Sequence, residues 1–296
     1  MLSKRQFFLL AILTVFWGLN WPVLKIGVRE LPPVFFRLLC VVGGVILTGL
    51  YARVAGISLA VPARGWKRLF GLALPNLILW YLLGTYAISM IPSGRAAILG
   101  YTMPIWAALI GVVCFRERLD GRTWFGVLCA LFGVVLLLAG EWQTLSGRPL
   151  GAGLMLLAAM SWGAGTHMMR RTRLDMNTTA ISFWMLVMAS VALALFSLAF
   201  EFDAWRMPVG TEWLPIAYNA IFVLGLCNIV WFSLVRSLPP VASGLSGMLI
   251  PVVGVFSSMV MLGEKPHWRD DIALVLILVS LATVMLRPRP PAQQKI

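Results

Sequence analysis

The residues of this sequence that could bind a solute are polar and aromatic side chains set inside long apolar stretches. Near the N-terminus, Trp17, Asn20 and Leu24 follow the i, i+3, i+7 spacing of one helix face. Tyr101 and Pro104 share a face in the same way. An apolar, aromatic surface with a few hydrogen-bonding groups is typical of a small-molecule pocket. The candidate binding residues are Trp17, Asn20, Asn76, Trp80, Tyr81, Tyr101, Trp162, His167, Asn228, Trp231 and Met248.

Each candidate also has a purely structural alternative. Trp and Tyr side chains often lie in the belts where a membrane meets water, and an intramembrane Asn such as Asn20 or Asn228 can bridge two helices. His167 comes shortly before Arg170, which favours an interfacial position over contact with a solute. For Arg37, snorkelling to the membrane surface is favoured over anchoring a carboxylate. The sequence alone leaves these alternatives open.

The sequence lacks the grouped side chains that catalysis or metal binding requires. All 11 Asp and Glu residues fall in loops or at the ends of apolar stretches, and the four Cys residues lie apart from one another and from His. HExxH, GxSxG and Walker motifs are absent. A proton-coupled exporter of cations would need a buried carboxylate. We therefore expect no enzyme activity, no metal, no cofactor, and a neutral or zwitterionic solute with weak or no ion coupling.

Composition indicates a membrane protein. The 296 residues are 60% hydrophobic and 12% charged, with a mean hydropathy of +0.90, whereas soluble domains are about 25% charged. The net charge of +13 is spread over short loops, which argues against a nucleic-acid partner. Apolar runs of about 20 residues can cross a bilayer. They predict ten transmembrane helices, near residues 6–24, 31–51, 69–90, 96–115, 123–140, 151–169, 178–200, 213–235, 241–262 and 272–286.

The distribution of basic residues predicts the orientation. Of the 24 Lys and Arg residues, 16 fall on the side of the N-terminus, seven on the opposite side, and Arg37 lies within a span. Basic residues accumulate on the cytoplasmic side. We therefore expect a multi-pass protein of the bacterial inner membrane with both termini in the cytoplasm. The first apolar stretch lacks a signal-peptide cleavage site and is interpreted as the first helix.

The two halves of the sequence resemble each other at a constant offset of 147 residues. The matched pairs are Pro92 and Pro239, Gly100 and Gly247, Pro104 and Pro251, Glu117 and Glu264, and Arg122 and Arg269. We assign residues 1–145 and 146–296 to two repeats of five spans. Five is odd, so the second repeat must be inverted, an arrangement typical of secondary transporters with a central cavity. Gly100, Pro104, Gly247 and Pro251 are the candidate hinges, although packing kinks without a gating role are the alternative.

The opening Trp17-Gly18-Leu19-Asn20-Trp21-Pro22, the proline-centred fourth and ninth spans, and Glu117 and Gly263-Glu264 at their ends resemble the drug/metabolite transporter superfamily. The chain is similar to its ten-helix EamA-type branch and to the YddG kind of aromatic amino-acid exporter. The resemblance implies an exporter of amino acids with broad specificity and a preference for aromatic and apolar side chains. Alternatives are an exporter of drug-like or nucleoside metabolites, and a nontransporting membrane scaffold or sensor. We expect a monomer whose other contacts are with membrane lipid.

Overall fold

The computed structural model describes residues 4–143, 149–172, 174–227, 230 and 240–285, and the regular structure in these residues is entirely helical. Each of the ten predicted stretches contains helix in its described residues. Six of the described helices are long and apolar enough by themselves to cross a membrane. Spans 1 to 10 are Lys4–Glu30, Pro33–Val54, Ala63–Met90, Ser93–Phe115, Gly121–Gln143, Pro149–Arg171, Thr178–Phe200, Trp213–Tyr218 continued by Asn219–Cys227, Pro240–Leu262 and Trp268–Met285.

Three spans depart from regular α-helix. Spans 3 and 8 contain π-helical segments, Leu74–Ile78 and Asn219–Cys227. Span 4 breaks after Ser93–Gly100 and resumes at Met103–Phe115. The break is expected because Pro104 has no N–H to donate to the preceding turn. Its counterpart Pro251 nevertheless lies inside the unbroken span 9, so the two halves differ at this position.

The extensive contacts between helices mostly join the two halves. They pair span 1 with 9, 2 with 7, 2 with 8, 3 with 6, 4 with 6, and 5 with 10. Exchanging every span with its counterpart in the other repeat converts the 1–9 contact into the 4–6 contact and the 2–8 contact into the 3–7 contact, which also exists. The helix packing therefore follows a two-fold pseudosymmetry between the repeats.

Hydrogen bonds at the helix ends fix the direction of the spans. Glu201, at the end of span 7, accepts from the amide at the start of span 2, and Glu264, at the end of span 9, accepts from the amide at the start of span 4. Counterpart spans therefore run in opposite directions, as the inverted repeat predicts. We call the membrane face that holds the 30–33, 90–93 and 263–267 connections the Glu264 face, and the opposite one, which holds the 115–121 connection, the Glu117 face.

Span 1 continues to Glu30, beyond its predicted end at residue 24, because the charge of Lys25 does not end the helix. Its side chain is buried, and Nζ donates to the carbonyls of Ile88 at 2.7 Å, Ser89 at 3.1 Å and Ile91 at 2.9 Å. These carbonyls end span 3, where a helix has unpaired acceptors and a partial negative charge. Lys25 therefore ties span 1 to the end of span 3.

Candidate functional site

Two pairs of aromatic rings, drawn from both halves, each have a member close to Gly100. The Trp21 and Tyr101 rings lie 6.3 Å apart in an edge contact, and the Trp80 and Trp162 rings lie 5.3 Å apart in another. A Cβ on Gly100 would come within 2.6 Å of Trp21 and 3.5 Å of Trp80. We call Trp21, Trp80, Tyr101 and Trp162 the aromatic cluster. Spans 1, 3 and 4 of the first repeat and span 6 of the second all contribute to it.

Trp21 was not among the predicted binding residues. The sequence favoured the span 1 face of Trp17 and Asn20, whereas the adjacent face, with Gly18, Trp21 and Lys25, contacts spans 9, 4 and 3. Gly18 lies against Val253 and Trp21 lies against Gly254, both on span 9. Gly18 and Gly254 are the sequence features that could have identified this face, since small residues at a helix contact allow close approach.

On the predicted face of span 1, the Oδ1 atom of Asn20 is buried and has no hydrogen-bond partner among the residues that the structure describes. Such a group is costly unless something donates to it. Trp17 packs against a small apolar cluster of Leu10, Leu13 and Cys227. Met248, on span 9, is partly buried against the main core.

Asn76, in the π-helical segment of span 3, contacts other groups of the protein. Its Nδ2 donates to the Leu72 carbonyl at 2.8 Å, and its amide lies where a Cβ on Gly165 would come within 2.4 Å. The Ser161 hydroxyl donates to the Pro75 carbonyl at 2.6 Å. Spans 3 and 6 are thus joined at the point where π-helical geometry disturbs the ladder of hydrogen bonds.

Arg37 does not snorkel to the surface, contrary to the favoured interpretation of the sequence. It is 5% exposed, and its guanidinium carbon lies 4.0 Å from the centroid of the Tyr81 ring. Nη1 donates to Oδ1 of Asn219 at 3.1 Å. Asn219 lies at the start of the π-helical segment of span 8. Because 182 residues separate it from Arg37, local sequence patterns could not predict this pair.

His167 lies near the Glu117 face, at the end of span 6. It is buried and stacks on Phe115 at 4.4 Å between ring centroids. Its Nε2 lies 3.5 Å from Glu117 Oε1, which also accepts from Arg171 at 2.8 Å. Arg171 in turn covers the Phe115 ring. The end of span 4 is thereby held against span 6.

The Glu264 face carries the equivalent carboxylate in a different setting. Glu264 Oε1 accepts from the Ser93 amide and hydroxyl, each at 2.8 Å, and Oε2 accepts from the Gly94 amide at 3.0 Å. The Ser93 hydroxyl also lies 2.8 Å from Ser258 Oγ. A carboxylate at a helix N-terminus pairs with amides that have no partner inside the helix. Glu264 therefore caps span 4 from the end of span 9.

Two further ties cross between the repeats at this face. Glu201 accepts from the amides of Val34 at 3.1 Å and Phe35 at 2.8 Å, and from the hydroxyl of Tyr86 at 3.0 Å. Arg95 binds Asp270 through two hydrogen bonds, of 2.8 and 3.1 Å. Bidentate pairs of this kind are among the strong hydrogen bonds of proteins. Together with the Glu264 cap, they close the Glu264 face.

The remaining candidates are the four hinge residues and two of the binding residues. Gly100 and Pro104 flank the break in span 4, Gly247 and Pro251 lie within continuous span 9, and Asn228 and Trp231 lie outside the described residues. In the described part of the chain, no group of three or more His, Cys, Asp or Glu side chains could hold a metal ion.

Comparison with known proteins places this architecture. A solved crystal structure matches 94% of this chain and 97% of its own, with a TM-score of 0.65 and 22% identity. The uncharacterized transporter YoaV of Bacillus subtilis is 25% identical over 85% of this chain and 87% of its own. The uncharacterized inner membrane transporter YedA of Escherichia coli is 27% identical over 93% and 88%.

Another relative carries a name that specifies a solute. The probable amino-acid metabolite efflux pump of Escherichia coli is 24% identical over 95% of this chain and 94% of its own length. The sequence model of the EamA-like transporter family matches twice, at residues 5–139 and 149–286. With two matched repeats that cover nearly all of a helical, multi-span fold, this chain belongs to the EamA-like transporter family.

Proposed function

We propose that this transporter exports amino acids with aromatic or apolar side chains, with broad specificity and by alternating access. The aromatic cluster is the observation that carries the proposal. Its rings come from spans of both halves, and the contact between halves is the one that changes when inverted repeats rock. Aromatic faces offer large apolar area and edge contacts for a ring-bearing solute. The buried Oδ1 of Asn20, adjacent in sequence to Trp21, offers an acceptor for the amino group.

The relatives support the solute class and the location. One is named a probable amino-acid metabolite efflux pump and another an inner membrane transporter. We propose a monomer in the bacterial inner membrane with cytoplasmic termini, which makes the Glu264 face periplasmic. The ties of Glu264, Glu201 and Arg95 then hold the periplasmic side closed. In our proposal, export requires Glu264 to release Ser93, with Gly100, Pro104, Gly247 and Pro251 as the hinges.

Substrate counterflow in proteoliposomes tests the solute class. The purified chain is reconstituted with internal phenylalanine, and uptake of labelled phenylalanine is measured against a panel of competitors, with and without a pH gradient. Phenylalanine, tryptophan and leucine are expected to compete, with little effect of the gradient. Competition by organic cations or nucleosides alone would reassign the solute, and absence of any counterflow would support a scaffold or sensor.

Substitutions in the aromatic cluster test the site. Trp80→Ala and Trp162→Ala each remove an edge contact worth about 1 kcal/mol together with apolar contact area, so phenylalanine counterflow is expected to fall about tenfold. Trp124→Ala is the matched control, because Trp124 is 43% exposed on span 5. Equal flux in all three variants, at equal amounts of reconstituted protein, would remove the cluster from the site.

A further inference from the structure

Arg37 is a cation enclosed by three spans near the Glu264 face. It lies on the second turn of span 2 and is 5% exposed. Span 3 supplies the Tyr81 ring beneath its guanidinium, 4.0 Å away, and span 8 supplies the Asn219 amide oxygen at 3.1 Å. Both groups are uncharged, so the arginine is held in place without being neutralised.

The charge of Arg37 has no carboxylate partner among the described residues. Its Nε atom is buried and has no hydrogen-bond acceptor among the described residues. The ion pairs of arginines in the described part of the chain use Arg95, Arg171 and Arg206 instead. Glu201, which caps the same span, is already engaged by amide and hydroxyl donors. Leaving a buried cation unpaired is costly, and intramembrane charges that persist usually serve a ligand or an ion path.

We propose that Arg37 receives the carboxylate of the transported solute. The inference rests on the proposed function, which it deepens by assigning the acid group of the amino acid. Tyr81 directly follows Trp80 on span 3, so one helix turn carries both the ring beneath Arg37 and a member of the aromatic cluster. A zwitterion with an aromatic side chain has complementary groups, because its ring suits the cluster and its carboxylate matches the planar guanidinium.

Asn219 allows this role to be separated from a structural one. If Arg37 only ties spans 2, 3 and 8 together, Asn219→Asp strengthens its pairing with span 8 by placing a carboxylate 3.1 Å from Nη1, at the loss of the hydrogen bond from Asn219 Nδ2 to the Pro215 carbonyl within span 8. If Arg37 instead serves the solute, the same substitution supplies an internal competitor and blocks binding in a well-folded protein. The two roles therefore predict opposite results for one near-isosteric change. Tyr81→Phe keeps the ring face under the guanidinium and is the matched control.

The test compares phenylalanine with two analogues that each lack one of its charged groups. Thermal stabilisation of the full chain in detergent is measured with phenylalanine, with 3-phenylpropionate, which lacks the amine, and with phenethylamine, which lacks the carboxylate. We expect the two acids to stabilise the wild-type and Tyr81→Phe proteins. Asn219→Asp and Arg37→Gln should weaken their binding at least tenfold, with no change for phenethylamine. Phenylalanine counterflow is measured on the same variants in proteoliposomes.

The outcomes distinguish this inference from the proposed function. Stabilisation by acids that Asn219→Asp abolishes supports the role of Arg37, even if wild-type protein moves no phenylalanine, a result that would overturn only amino-acid export. Acid binding and counterflow that survive Asn219→Asp unchanged would overturn the inference while leaving export intact. Failure of the wild-type protein to respond to any carboxylate would also overturn it.

Discussion

The Glu264 face and the Glu117 face carry equivalent glutamates with different partners. Glu264 caps the start of span 4 through two backbone amides and a hydroxyl. Glu117, its counterpart in the first repeat, pairs instead with the Arg171 side chain and lies near His167. The Glu264 face therefore has a helix cap between the start of span 4 and the end of span 9, whereas the Glu117 face has a side-chain ion pair to span 6. Equivalent residues in the two repeats thus need not make equivalent contacts.

The sequence explains why the two faces differ. The counterpart of Ser93 is Pro240, which has neither a hydroxyl nor an N–H to donate. The counterpart of Ser258 is Gly111, and the Glu117 carboxylate lies where a Cβ on Gly111 would come within 2.6 Å. The Glu117 face thus lacks the two donors that Ser93 supplies to the cap on the Glu264 face, and it lacks the Ser258 hydroxyl beside them. We infer that the Glu264 face is the more firmly closed of the two.

Replacing Glu264 should change the difference between the two faces most, by increasing how often the Glu264 face opens. Glu264→Gln keeps the shape of the side chain but replaces charged acceptors with an amide, and each hydrogen bond to a charged group contributes about 1.5–3 kcal/mol. We expect the Glu264 face to open at least tenfold more often. The measurement uses Val255→Cys, a buried site next to Gly94, in a protein whose four native cysteines are replaced. Cells that produce this protein are treated with a membrane-impermeant maleimide, and labelling of residue 255 is quantified.

Glu117→Gln is the matched control, because it makes the same chemical change at the equivalent position of the other repeat. Labelling at residue 255 should stay near the level of the unaltered protein in that variant. If Glu264→Gln gives no more labelling than Glu117→Gln, the cap does not hold the face closed.

Gly100→Ala should have the next largest effect, since it acts on the aromatic cluster between the two faces. The added methyl would lie 2.6 Å from the Trp21 ring, and overpacking of this kind costs about 1–3 kcal/mol. We expect a several-fold loss of phenylalanine counterflow. Gly71→Ala is the control, because no heavy atom lies within 4 Å of its added methyl and alanine favours helix. Similar flux in the two variants would mean that the cluster tolerates displacement.

The sequence predicted the helices and the repeat well because both depend on local patterns. Apolar runs located all ten spans, and the offset of 147 residues identified Glu117 and Glu264 as equivalent. The ends of span 1 were less predictable, because the charge of Lys25 indicated a boundary while its ammonium caps a distant helix. Charge alone does not distinguish a residue in water from one paired with carbonyls.

The partners of the site residues could not be predicted in this way. Arg37 meets Asn219, and Glu264 meets Ser93, across 182 and 171 residues of sequence. Such pairs depend on the rotation and depth of each span, which are set by packing against neighbours. The hydrophobic pattern could not choose between two faces of span 1, that of Trp17, Asn20 and Leu24 and that of Gly18, Trp21 and Lys25. The centres of these faces are about 100° apart on a helix that is apolar nearly all round.

A smaller effect is expected from Ser258→Ala, which makes the Glu264 face more like the Glu117 face. The change removes one neutral hydroxyl beside Ser93, a contact worth about 1 kcal/mol, and leaves the Glu264 carboxylate in place. Labelling of Val255→Cys should rise about fivefold, less than with Glu264→Gln. A rise equal to that of Glu264→Gln would show that the hydroxyl pair, and not the carboxylate, sets the strength of the cap.

The smallest effect concerns Arg206 and Glu212, which lie on the Glu264 face outside the spans. Hydrogen bonds from Arg206, and then from the Val209 amide, lower the pKa of Glu212 from 4.5 to about 2. Arg206 also donates to the Glu30 carbonyl at the end of span 1. Because a lowered pKa favours the ionised acid in the folded state, the stabilisation is complete above pH 4.5 and is lost as the pH falls towards 2.

Comparison of Glu212→Gln with the unaltered protein isolates this contribution from the other carboxylates that titrate in the same range. The difference in Tm in detergent should be small, since Arg206 is exposed, constant above pH 5 and nearly absent at pH 2. Asp203→Asn, a change to an exposed acid of the same connection, should give no such profile. A Glu212→Gln difference that persists at pH 2 would mean that the loop is stabilised by packing instead.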